Sequence, residues 1–219
     1  MKTPLTSILG FADLLYLQKD VPDKKRMEYA GIIVEETKRM RSLSGKLMEL
    51  LNVGSQNLVF TPEPVADVMN EVAAAMEPVL ASSGLTLQHV CEDGLVLMMD
   101  RELFKSLLYN FIDNGRKASP EGSRIQMLAH RQQGKAEIMI RDYGQGIPQK
   151  ELDKVRQPFY MVDKSRSRKA GGAGLGLALC EEICRIHKGA FAIDSRVGKG
   201  TLITLQFPLA GAPGQGGEA

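Results

Sequence analysis

Four glycines crowd into the stretch Gly171-Gly172-Ala173-Gly174-Leu175-Gly176-Leu177-Ala178-Leu179, which runs straight into an apolar helical pattern. A bare backbone that ends at a helix N-terminus is suited to receive an anion. The first-turn N–H groups lack intrahelical partners, the macrodipole is positive there, and glycine lets an oxygen approach closely. Gly172, Gly174, Leu175 and Gly176 are therefore candidate phosphate-cradling positions. Two common nucleotide loops are excluded by spacing: the dinucleotide fingerprint needs a glycine where Leu177 stands, and no Gly-Lys-Ser/Thr occurs. Alone, the run would also fit a glycine-rich surface linker, so the remaining residues must decide.

The 219 residues, 43% hydrophobic and 25% charged, suit one large globular domain or a domain with a smaller appendage. A net charge of +2 gives no electrostatic footprint for nucleic acid, and no such partner is expected. No apolar run approaches the roughly 18 residues of a membrane span and no signal peptide opens the chain, so a cytoplasmic location without membrane contact is expected. The odd cysteine count of 3 fits a reducing compartment, and Cys180 and Cys184, four apart, are expected to pack in a core. His89, His130 and His187 are scattered, without the neighbours of a catalytic base or ligand cluster.

In the first 52 residues, Leu5, Ile8, Leu9, Ala12 and Leu15 form one helical stripe, and Met27, Ala30, Ile33, Val34, Met40, Leu47 and Leu51 form a second. Two such helices make an antiparallel hairpin that cannot enclose a core, so a homodimer with a four-helix bundle is the simplest completion. The polar stretch NVGSQN marks a domain boundary, with a second domain at 58–209 and a disordered tail at 210–219. In the second domain the pattern predicts strands over 58–61, 85–90, 95–98, 125–130, 136–141, 190–195 and 201–207. Helices are predicted over 64–80, from the N-cap Asp100 to Ala118, and over 173–186. Together they describe an α+β sheet with helices on one face.

Asn110, Asn114 and Lys117 share one stripe of the helix 100–118. Amide oxygens suit magnesium and an ammonium suits phosphate, although amides on one stripe also fit a solvated helix face. Asp142-Tyr143-Gly144-Gln145-Gly146-Ile147-Pro148 follows a predicted strand; its carboxylate can select a ring bearing an amino group, though a plain turn has the same pattern. Gly198-Lys199-Gly200-Thr201 reads as a hairpin turn, and the basic stretch between Gln149 and Gly172 reads as a lid over a polyphosphate.

In this order NFIDNGRK, DYGQGIP, PFY, GGAGLGLAL and GKGT resemble the boxes of sensor histidine kinases of two-component systems. KTPLTSILGFADLL resembles the dimerisation and phosphoacceptor helix of the same family. The resemblance implies half of a dimeric four-helix bundle followed by an α/β sandwich of the Bergerat ATPase type. It implies ATP and Mg2+ as ligands, Asn114 on the metal with Asn110 near it, and Lys117 on phosphate, with Lys117 and Asn114 serving catalysis. It further implies that Asp142 reads the adenine amino group, that Gly144 and Gly146 shape its pocket, that Gly172, Gly174, Leu175 and Gly176 line the phosphates, and that Thr201 reaches the adenine through water. Met161 stands where many relatives carry arginine, which leaves lid contacts to Lys164 and Arg166. Thr3 falls where the family orients a water that dephosphorylates the regulator. The family's phosphoacceptor histidine falls immediately before Met1, so self-labelling of this chain is not expected. Implied partners are a second copy and a response regulator receiver domain. The alternative is a dimeric ATP-binding regulatory module that does not phosphorylate, or a response-regulator phosphatase.

Overall fold

Alternating apolar residues give three strands a common buried face: Ile125, Met127 and Ala129, then Ala136, Ile138 and Ile140, then Ile203, Leu205 and Phe207. The computed structural model describes residues 2–18, 20–53, 58–162 and 174–211. Its elements are α1 (Lys2–Leu17), α2 (Asp23–Val53), β1 (Thr61–Pro64), α3 (Val65–Ala81), β2 (Thr86–Cys91), β3 (Val96–Met99), α4 (Arg101–Ala118), β4 (Arg124–Gln132), β5 (Lys135–Asp142), α5 (Gly176–Ile186), β6 (Ala190–Arg196) and β7 (Gly200–Pro208). Five strands form a sheet in the order β2-β4-β5-β7-β6, with β2 parallel to β4 and the other pairs antiparallel.

Against the buried face lie α3, α4 and α5, each with apolar residues at helical spacing. Val65, Val68, Met69, Val72, Met76 and Leu80 do this on α3, and Leu179, Cys180, Ile183 and Cys184 on α5. Asp100 caps α4 as expected, its Oδ1 accepting the Leu103 N–H at 3.1 Å. Both α5 cysteines are buried, and burial pushes the Cys184 thiol up to about 12, as suits core residues.

The first strand differs from expectation. It runs over Thr61–Pro64 and pairs with β3 in a separate two-stranded sheet, so its two prolines fall on an edge. Residues 58–60 are not extended into it, because Phe60 turns its ring onto His187, 5.1 Å away. The hairpin forms as predicted, with Phe11 and Tyr29 rings 5.3 Å apart. Its apolar stripes are only partly covered by its own chain: Leu50 and Val53 join the α/β core, while Leu9, Tyr16, Leu17, Met27 and Met48 stay exposed. The expected tail lies outside the described residues from 212 onward.

His187 is a structural residue. Its Nδ1 lies 2.8 Å from the Ile183 carbonyl, its Nε2 accepts the Asp100 N–H at 3.1 Å, and Phe60, Phe104 and Phe207 surround the ring. Burial, which disfavours the charged imidazolium, holds its pKa below 6.5 despite the backbone contacts to Ile183 and Asp100. A histidine depressed in the folded state contributes stability above its unfolded pKa, which is lost as pH falls from 6.5 through the folded value. His187→Phe is expected to cost about 1–3 kcal/mol and to flatten this dependence, as urea unfolding at neutral and mildly acidic pH will measure.

Candidate functional site

The C-terminal half of α4 leaves the core on one side, and there it forms the floor of a cavity of about 510 Å³. Phe111, Asn114, Gly115, Lys117 and Ala118 come from α4; Asp142, Gln145, Gly146, Ile147 and Pro148 come from the end of β5 and the turn after it. Tyr160, Met161, Gly174, Gly176 and Leu177 line the opposite end, Ile193, Thr201 and Ile203 close the side, and Ser42 and Lys46 enter from α2.

Asp142 sits at the closed end, 9% exposed. Its Oδ1 accepts the N–H groups of Gly144 at 2.9 Å and Thr201 at 3.2 Å, which fixes the carboxylate before any ligand arrives. Burial nevertheless outweighs those hydrogen bonds and raises its pKa. Thr201 Oγ1 lies 2.9 Å from Ser195 Oγ, and Ser195 also accepts the Ile147 N–H at 2.8 Å, so one serine ties β6, β7 and the turn together. Around the carboxylate the walls are apolar, from Ile147, Ile193 and Ile203, with Phe111 braced by Phe191 at 5.3 Å. A flat ring with one amino group matches this end.

Two glycines make that geometry possible. At Gly146, φ is +69° and a Cβ would stand 2.1 Å from the Arg196 carbonyl oxygen; at Gly200, φ is +85° and a Cβ would stand 2.1 Å from the Asp142 carbonyl oxygen. Backbone meets backbone at both positions, so a side chain has nowhere to go.

The other end is cationic. Lys117 Nζ lies 2.7 Å from Asp113 Oδ2, and Arg116 Nη2 lies 2.8 Å from Asp113 Oδ1. Burial alone would raise the Asp113 pKa, but these two cations hold it below the ordinary value. Lys46 Nζ donates to Asn110 Oδ1 at 2.7 Å, and burial, then the nearby Lys117, lower its pKa. At the mouth of the glycine stretch the Phe159 N–H donates to the Gly174 carbonyl at 2.7 Å, drawing together the segments before and after 163–173.

Asn114, Lys117, Asp142, Gly146, Gly174, Gly176 and Thr201 thus converge on one cavity, as the sequence suggested. Three expected positions do not line it. Asn110 is 8% exposed and engaged with Lys46; Leu175 is wholly buried; Gly144 shapes the turn from behind, where a Cβ would stand 2.5 Å from the Ala118 carbonyl oxygen. Lys164, Arg166, Gly172 and most of the expected lid lie outside the described residues, as does the Thr3 side chain. Sequence reasoning missed Ser42, Lys46, Asp113 and Ser195. Asp113 stood four residues before Lys117 at ion-pair spacing, a signal that could have been used; Lys46 gave no local signal.

Amide oxygens are hard donors suited to magnesium; Asn114 lines the cavity and Asn110 Oδ1, held by Lys46, lies 3.1 Å from where a Gly176 Cβ would stand, so these two amides are the residues that would hold the ion. Among the described residues no helix is long and apolar enough to cross a membrane.

Residues 99–211 match the family described as "Histidine kinase-, DNA gyrase B-, and HSP90-like ATPase", and residues 1–55 match the "His Kinase A (phospho-acceptor) domain". The chain is 30% identical over 218 residues to histidine protein kinase DivJ of Caulobacter vibrioides, covering 97% of this chain and 36% of that protein. To sensor histidine kinase WalK of Bacillus subtilis it is 32% identical over 216 residues, covering 95% and 35%. It therefore spans about a third of the length of either relative. In fold it is similar to the Acinetobacter baumannii histidine kinase AdeS, at a TM-score of 0.75 and 20% identity over 95% of this chain and 96% of that one. It is likewise similar to histidine kinase ThkA in complex with response regulator protein TrrA, at 0.77 and 21% over 95% of this chain and 58% of that one.

Gly200→Ala is expected to lower stability by about 1–3 kcal/mol, because it forces a side chain into left-handed backbone against β5. Thermal unfolding of the variant beside Gly198→Ala, whose added Cβ meets nothing within 4 Å, will separate crowding from φ strain alone.

Proposed function

Because the chain belongs to the histidine kinase-, DNA gyrase B-, and HSP90-like ATPase family, we propose that it is the ATP-binding and dimerising core of a sensor histidine kinase. In this reading it binds Mg·ATP and passes the γ-phosphoryl to a histidine, from which the phosphate moves to an aspartate of a response regulator. The supporting observation is a single cavity with a fixed carboxylate among apolar walls at one end and lysine, amide and glycine backbone at the other. That polarity gradient matches a purine with a polyphosphate tail.

Asp142 accepts the adenine amino group, and Ile147, Ile193 and Ile203 keep water from the ring. Lys117 turns from Asp113 toward the phosphates, and the N–H groups at the start of α5 receive phosphate oxygens. Asn114 and Asn110 would hold a magnesium ion, which would supply neutralisation of the phosphate charge. The chain's own part is positioning and electrostatic stabilisation. The exposed apolar stripes of α1 and α2 support a second copy as partner, and the regulator partnership is drawn from the ThkA complex.

Asp142→Asn is expected to weaken Mg·ATP binding by about 1–3 kcal/mol, because it presents a donor to a donor. Since the folded pKa of Asp142 is raised, binding by the unaltered chain should weaken as pH falls while still above 3.8, and the variant should lack this dependence. Calorimetric titration across mildly acidic pH reads both; equal affinities throughout would remove Asp142 from the site.

The acceptor histidine is not among the three in the chain: His187 is buried, His89 of β2 bonds Asn70 of α3, His130 of β4 lies beside Glu137 of β5, and none lines the cavity. Incubation with radiolabelled ATP should leave this chain without acid-labile label, whereas the chain extended by His-Glu and several helical residues ahead of Met1 should take it. Label on the unextended chain would contradict the proposed relay. An extended chain that binds ATP, dimerises and stays unlabelled would favour the regulatory module.

A further inference from the structure

Lys46 and Asn110 come from different parts of the chain, α2 and α4, and meet in a hydrogen bond of 2.7 Å. The amide is oriented for it: Asn110 Nδ2 donates to the Ser106 carbonyl at 2.9 Å, which turns Oδ1 toward the ammonium. One turn further along α2, Glu49 accepts a hydrogen bond from Ser106 Oγ, so the hairpin grips α4 at two points one turn apart on each helix. Leu50 and Val53 complete the docked surface against the α/β core.

The gripped oxygen is one the proposed function assigns to the metal. A Cβ on Gly176 would stand 3.1 Å from Asn110 Oδ1 and 3.6 Å from Lys46 Nζ, so the ammonium sits between α4 and the glycine cradle. Lys117 is also within electrostatic reach of it. A monovalent and a divalent cation cannot both sit against one amide oxygen, since their repulsion at contact distance is large in a partly buried site.

We infer that Lys46 is an interdomain latch, its ammonium holding Asn110 in the place of the metal while the nucleotide site is empty and leaving when magnesium and nucleotide enter. Docking of the hairpin and loading of the site are then mutually exclusive. The nucleotide-free chain keeps its catalytic domain parked on α2, and loading frees that domain to move along the hairpin. By linkage, any change that weakens the dock strengthens nucleotide binding. This inference rests on the nucleotide-site reading above.

The test is calorimetric titration of the full chain and its Lys46→Met variant with magnesium and the non-hydrolysable β,γ-imido analogue of ATP. Amide hydrogen exchange over residues 46–53 is followed in parallel. Lys46→Met is expected to bind about tenfold more tightly, the factor that corresponds to one charge-assisted hydrogen bond lost from the competing docked state. Exchange over 46–53 should speed up on nucleotide binding in the unaltered chain and should already be fast in the variant without nucleotide. Ser106→Ala, which breaks the Glu49 contact but keeps the cation, should speed exchange with a smaller gain in affinity. Weaker binding by Lys46→Met would make Lys46 a ligand of the phosphates and overturn the latch. Equal binding by both chains would overturn the latch alone, whereas binding by neither would overturn the nucleotide reading and the latch together.

Discussion

The packing of α4 against the apolar face of β4, β5 and β7 is the contact on which the rest depends. Phe104 meets Phe207 with ring centroids 5.1 Å apart, and Leu107, Leu108 and Ile112 are wholly buried. A helix has one set of neighbours on each side, so burying these residues commits Asn114 and Lys117 to the opposite stripe. The cavity then arises where α4 ends, because the sheet continues past it through Asp142 and the turn that follows. A loss of packing at Phe104 would therefore move the site as well as weaken the core.

Charges around the cavity are paired within the chain. Lys117 rests on Asp113, Asp142 receives two backbone N–H groups, and Lys46 rests on Asn110. Leaving such groups unpaired in a half-buried site would be costly, so the fold supplies a partner for each of them. The pairing also ties the helical hairpin to the site, since Lys46 belongs to α2.

Much of the arrangement was legible in local pattern. The buried face of β4 and β5, the Asp100 cap, the hairpin of α1 and α2, and the convergence of Asn114, Lys117, Asp142 and Thr201 all follow from spacing and from boxes whose order is specific. Errors occurred where a residue's role was decided by a distant neighbour. Residues 58–60 had the composition of a strand, yet Phe60 was claimed by His187, more than a hundred positions away. The side chain of Leu175 is buried and Gly144 packs on the Ala118 backbone, which lies on the cavity wall, placements that local pattern does not specify.

By itself the sequence determined which faces are apolar, where helices begin and end, and which polar groups could serve a nucleotide, because these depend on periodicities and caps that act over a few residues. Tertiary structure alone decided the long-range polar pairs of the site. The contact of Lys46 with Asn110 spans 64 positions and that of Asp142 with the Thr201 amide spans 59. No local pattern encodes such pairs, because they exist only once the sheet and its covering helices have brought the elements together. Charge pairing acts through space over a few ångströms, whereas sequence spacing specifies only the order in which the groups arrive.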